Sequence, residues 1–219
     1  MIEKNLTSYS EHYFEISKDN FLKYLKLAER YKSIWERIEH LSKKYEREGE
    51  EEDSKELDII INRAAEIKNN QDAAGHITII FSAMCLEAII NHYAIIRTSK
   101  SYFDNYLDKL DVKAKWIIFP KLLANAEFNT DSKAYELLKK VITLRNELVH
   151  YKSRVIKYSQ YTSDGIEKSE QEFHFNVQNS IKAIFLVVEE LKRIDPDWKE
   201  YNWYKLAQLE NPDIIKYIE

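Results

Sequence analysis

The stretch Ile77-Thr78-Ile79-Ile80-Phe81-Ser82-Ala83-Met84-Cys85-Leu86-Glu87-Ala88-Ile89-Ile90-Asn91-His92-Tyr93-Ala94-Ile95-Ile96 decides the fold. Placed on a helix, its apolar side chains occupy nearly the whole circumference, so Asp72 to Arg97 is predicted to be a helix covered on all sides by the rest of the protein. The run is apolar enough to raise a membrane question. Ser82, Glu87, Asn91 and His92 interrupt it, however, and an acid at mid-bilayer costs roughly 3 kcal/mol. The centre of a helical bundle is its expected place, with no membrane partner.

The remaining composition agrees with an all-α class. The chain has 219 residues, 44% of them hydrophobic, enough for one sizeable core. Three glycines and three prolines are too few to punctuate a sheet with many turns, so long helices are expected. The single Cys85 permits no internal disulfide, and Met1 to Asn5 contains no apolar signal core. A cytoplasmic location is the expectation. The net charge of -4 argues against a nucleic-acid coat protein, but charge is unevenly spread. Glu46 to Asp58 holds eight acids against two bases, whereas Asp131 to Lys157 holds seven bases against three acids.

One helical domain over 1–219 is expected, in three parts. Residues 1–56 comprise a long N-terminal amphipathic helix and an acidic loop. In that helix Tyr24, Ala28, Tyr31, Trp35, Ile38, Leu41 and Tyr45 recur at steps of four and three, the period of a narrow packing seam. Glu46 to Glu56 is expected to be a solvated turn or linker. Residues 57–195 form the bundle. Within it the pattern predicts a short helix over Leu57 to Lys68, the central helix, a short piece over Ser101 to Asp108, and a helix over Asp111 to Ala124 kinked or restarted by Pro120. A further helix, capped by Asp131, runs through Arg145 to about Tyr151. Between Arg154 and Phe175 the periodicity fails, and a loop or small hairpin is expected. Val177 to Ile194 is helical again, with Ile181, Ile184, Phe185, Val188 and Leu191 on one stripe. The aromatic tail, 196–219, is expected to dock on the bundle or on a partner.

Chemistry concentrates in Leu144-Arg145-Asn146-Glu147-Leu148-Val149-His150-Tyr151-Lys152. On one helix Arg145 and His150 lie about 140° apart around the axis and about 7.5 Å along it, so they do not converge on one point by themselves. Arg145 falls inside the apolar arc and needs a carboxylate or a phosphate. Glu87 is the expected internal partner. The residues alone therefore allow two readings: a buried Glu87–Arg145 ion pair fixing helix register, or a site that holds phosphate. His12, His40, His92 and His174 lack metal-site spacing, and no glycine-rich phosphate loop occurs, so neither metal nor cofactor is expected.

The arginine-histidine segment resembles the R-x4-6-H signature of the HEPN superfamily, all-helical domains many of which are metal-independent endoribonucleases. Phe81 to Asn91, with its Leu86-Glu87-Ala88 and Ile90-Asn91, is similar to the core helix that precedes that signature in the family. The likeness spans roughly Asp72 to Leu191 and leaves out the N-terminal helix and the tail. It implies that His150 moves the proton, Arg145 holds the scissile phosphate, Asn146 orients His150 or the phosphate, and Lys152 and Arg154 bind flanking phosphates. It further implies an RNA-cleaving effector of a toxin-antitoxin or anti-phage system, homodimeric, whose antitoxin is a separate chain. A binding or dimerisation module of the same fold is the alternative, since fold does not fix function.

Overall fold

The computed structural model describes residues 9–48, 51–150, 163–198, 214 and 216; of residues 48, 51–53 and 163 it describes the backbone alone. The protein is an all-α bundle: among the described residues there is no strand. Its helices are α1 (Ser10–Glu48), α2 (Glu51–Arg97), α3 (Lys100–Tyr102) running into a π-helical turn (Phe103–Leu107), α4 (Val112–Ala124), α5 (Lys133–Val149) and α6 (Ser163–Ile194).

The second half of α2 is the centre. Ile79, Ala83, Cys85, Leu86, Ile89, Ile90, Tyr93 and Ala94 are all buried, with α1, α4, α5 and α6 packed around them. The helix is long and apolar enough to cross a bilayer, and 56% of its most apolar window is buried inside the protein. α1 lies antiparallel to α2: Ser17 Oγ donates to the Thr78 carbonyl (3.0 Å) and lies 2.7 Å from Ser82 Oγ, while the Cys85 thiol reaches the Ser10 carbonyl. These small hydroxyls satisfy one another where the two backbones come close.

α6 runs parallel to α2 and α5 antiparallel to α6. Gly75 of α2 faces Phe173 and Val177, and at the other end Tyr93 Oη donates to Asp195 Oδ2 (3.1 Å), which also pairs with Arg97. Asn129, just before α5, gives its N–H to Glu190, whereas Lys140 lies 3.6 Å from Glu172. Trp198 of the tail packs edge-on against Tyr93 and is buried.

Several boundaries differ from the sequence expectation. The two helices expected over Leu57 to Lys68 and Asp72 to Arg97 are one, α2, because the intervening polar residues support a helix: Lys68 donates to Asp72 one turn on (2.7 Å). α2 begins at Glu51, so residues 51–56 of the expected acidic linker are helical. α6 begins at Ser163, which replaces the expected loop up to Phe175 by helix over 163–175; the outer face there is polar and exposed, so hydrophobic periodicity is absent. Pro120 sits inside an unbroken α4. Ser132, not Asp131, caps α5, accepting from the Tyr135 N–H at 3.2 Å.

On α1 the buried face is Phe14, Phe21, Tyr24, Leu27, Ile38 and Leu41, while Trp35 and Tyr45 of the expected seam are exposed. The distal halves of α1 and α2 form a two-helix arm with a small apolar cluster of its own, Ile38, Leu41, Ile60 and Ala64. Where the arm meets the bundle, the His174 ring is clasped on both nitrogens. Gln178 Nε2 lies 2.8 Å from Nε2, so that nitrogen accepts and the ring proton on Nδ1 goes to Tyr24 Oη at 2.9 Å. Burial pushes the His174 and His76 pKa values down and the Tyr24 phenol up to about 12.

Two outcomes follow for stability. A Cβ on Gly75 would lie 2.7 Å from Phe173 Cζ, and that ring is itself held by Tyr24 and His76. Gly75→Ala should therefore destabilise by about 1 kcal/mol or more by overpacking, even though alanine favours the helix by about 1 kcal/mol; adding Phe173→Leu should recover part of the loss in thermal melts. The buried histidines set the second. Below about pH 6.5 the unfolded chain binds protons that the buried rings resist. Their contribution is thus fully present above that pH and lost as pH falls through the lowered folded-state pKa. Melting temperature should fall along that acid slope, and less steeply in His174→Gln.

Candidate functional site at the end of helix α5

α5 delivers Arg145, Asn146 and His150 to one end of the bundle. Ala134, Leu137, Leu138, Val141 and Ile142 anchor its first three turns in the core, and Leu144 and Leu148 pack at the edge of that core. The last turn emerges from the packing: Val149 is 49% exposed, and Asn146 and His150 are exposed beside it. His150 ends the helix with φ -106° and ψ 66°, its N–H still donating to the Asn146 carbonyl at 2.9 Å. Its imidazole is therefore carried on the rim of the helix, open to a ligand.

Arg145 is half-buried, and its Nη1 donates to Asn146 Oδ1 at 3.0 Å. That bond fixes one edge of the guanidinium and leaves further N–H donors for an anion. Arg145 and Asn146 are thus brought together, and His150 is tied to Asn146 through the backbone. No hydrogen bond joins Arg145 to His150. Lys152 and Arg154, and Tyr151 with them, lie outside the described residues.

The expected Glu87–Arg145 ion pair does not form, and the helix directions explain why. α5 descends antiparallel to α2, and Lys140 is already level with Glu172, near the Gly75 end of α2. Arg145 lies beyond it, whereas Glu87 is twelve residues, or about 18 Å, from Gly75 in the opposite direction. Glu87 instead acts on Lys115 of α4. The Lys115 side chain is 2% exposed, donates to Asn91 Oδ1 at 3.0 Å, stands 4.0 Å from Asp108 and lies over the Phe103 ring. Burial pushes its pKa down, and Glu87, Asp108 and Asp111 partly offset this. The sequence signal for this cluster was the i, i+4 pair Glu87 and Asn91, together with a lysine one turn after the Asp111 cap.

A second feature escaped sequence reading. Between α5 and α6 lies an open cavity of about 520 Å³ lined by Lys139, Lys140, Thr143, Asn176 and Asn179, with the exposed Phe175 at its edge. It shares α5 with Arg145, but neither Arg145 nor His150 lines it. The pairing of α5 with α6 places those asparagines opposite the lysines. Comparison of the chain with protein-family models, curated proteins and solved structures finds no match.

A double-mutant cycle tests the reassigned charge. Glu87→Gln with Lys115→Met should show coupling above about 0.5 kcal/mol, whereas Glu87→Gln with Arg145→Met should add within about 0.5 kcal/mol, as sites far apart do.

Proposed function

We propose that the protein is an HEPN-like, metal-independent endoribonuclease, acting as the RNA-cleaving effector of a toxin-antitoxin or anti-phage system. The observation that supports this most is the last turn of α5: a guanidinium oriented by Asn146 with donors to spare, and a solvent-facing imidazole one turn beyond that asparagine. An arginine so placed suits a phosphate, and imidazole is the side chain that exchanges a proton near neutrality.

In this reading the Arg145 guanidinium binds the scissile phosphate and stabilises the charge that builds on its oxygens. His150 takes the proton from the RNA 2′-hydroxyl, whose oxygen forms a bond to phosphorus while the bond from phosphorus to the 5′-oxygen breaks. The leaving oxygen receives a proton, and the products are a 2′,3′-cyclic phosphate and a 5′-hydroxyl end. The divergence of Arg145 and His150 along one helix is resolved by a homodimer, in which a twofold axis beside the exposed Val149 would join two copies of the segment in one cleft. Lys152 and Arg154 would hold flanking phosphates, and a separate antitoxin chain would restrain the activity.

The exposed Val149 next to a guanidinium already engaged by Asn146 also favours a second reading, in which the segment is a non-catalytic nucleotide-binding or dimerisation module of the same fold. Incubation with total RNA in excess chelator separates the two. For the enzyme, cleavage persists in chelator and leaves cyclic phosphate ends, His150→Ala abolishes it with melting temperature and dimerisation unchanged, and Arg145→Lys loses most of it because an ammonium lacks the two-pronged geometry. Intact RNA with the wild-type protein, together with loss of dimerisation or nucleotide binding in both variants, would favour the module.

A further inference from the structure

The arm formed by the distal halves of α1 and α2 carries a cationic groove that the α5 site does not use. Arg30, Ser33, Ile34 and Arg37 of α1 and Ile60 and Arg63 of α2 line an open groove of about 260 Å³. The half-buried Ile34 and the buried Ile60 supply its apolar part, and the three arginines that line it are exposed. Arg30 and Arg37 are seven residues apart, so they lie on one line of the helix, separated by about 10.5 Å. Arg63 faces that line from the other helix.

Their charge is incompletely answered. Arg37 pairs with Glu56, whereas Arg30 and Arg63 form no ion pair among the described residues. Three guanidiniums against one carboxylate leave an excess of two positive charges. That excess sits on a protein whose net charge is -4. Nor does α6 cover the groove. Lys68 marks the side of α2 that meets α6, through Glu170, and Arg63 is about 140° around the helix from it.

We propose that this groove binds phosphate groups of a polyanion carrying at least two of them. Guanidiniums match phosphate bidentately, and the apolar part of the groove lowers the local dielectric and strengthens the attraction. The spacing of Arg30 and Arg37 exceeds what one phosphate spans, so two phosphates are engaged, with Arg63 closing over them from α2. Such groups occur in free polyphosphates and in a nucleic-acid backbone, and the two are told apart by probe. The groove stands independently of the reading of Arg145 and His150.

Titration of the full-length protein with inorganic tripolyphosphate, and separately with a short single-stranded oligonucleotide, is the test. Arg30→Gln with Arg63→Gln should weaken binding about tenfold or more, since a hydrogen bond to a charged group contributes about 1.5–3 kcal/mol. The charge-matched Lys32→Gln with Lys43→Gln, at exposed positions on the same helix, should leave it nearly unchanged. Glu56→Gln removes the competing carboxylate and should tighten it. Tighter binding of the oligonucleotide through the same arginines assigns the backbone as ligand, and tighter binding of tripolyphosphate assigns the free anion. The proposal is overturned if neither probe binds at low salt, if binding is indifferent to Arg30 and Arg63, or if the lysine variant loses as much.

Discussion

The apolar half of α2 has no face to give to water, and the positions of the other helices follow from the need to cover it. α1 takes one side through small hydroxyl residues that let the backbones approach, α6 another through Gly75, and α4 and α5 complete the enclosure. Each contact is specific for a different reason. The serine pair sets the register of α1 by hydrogen bonding, Gly75 sets that of α6 by lack of volume, and Asp195, holding Tyr93 and Arg97 together, fixes where α6 ends against α2. A helix that is apolar all round would otherwise allow its neighbours to slide, because hydrophobic attraction is not directional.

This enclosure also explains where chemistry is left over. α5 is anchored by its first three turns, and in its last turn Leu148 still packs on the core while Asn146, Val149 and His150 are exposed and Arg145 stays at the margin. A rigid helix held on one face by Leu148 and open on the other is a sound support for a site, since the exposed side chains are placed by the scaffold but not consumed by it. The buried Lys115 shows the opposite arrangement. Its ammonium is held among Asn91, Asp108 and the field of Glu87, and it ties α4 to α2 instead of facing outward.

Much of this was legible in the sequence, and the failures have physical causes. The central helix, the stripe Ile181 to Leu191 and the Asp111 cap could be read because each depends on local spacing. The break expected near Asn69 to Asp72 could not be read correctly, because polarity marks exposure and does not by itself end a helix. The first turns of α6 were missed for the same reason: residues 163–175 are helical with little to bury. Elimination among the acids of the central helix points Glu87 at Arg145, and only the antiparallel descent of α5 reveals that the two are at different heights. The Arg145 to Asn146 hydrogen bond joins neighbours in sequence but depends on rotamers that spacing does not set, and the grooves on the arm and between α5 and α6 are made by residues distant in sequence.

The arm holds one more consequence. Its apolar cluster of Ile38, Leu41, Ile60 and Ala64 is small and separate from the main core, although the two helices that bear it continue into that core without interruption. Cooperativity therefore has a seam near Leu27 and Ile67. The distal pair of helices can fray and re-form as a unit at a cost far below global unfolding, with its amide hydrogens exchanging while those of α2 beyond Ala74 remain protected. Any ligand seated on the arm would be linked to that local equilibrium alone, stiffening a lever whose base is already fixed.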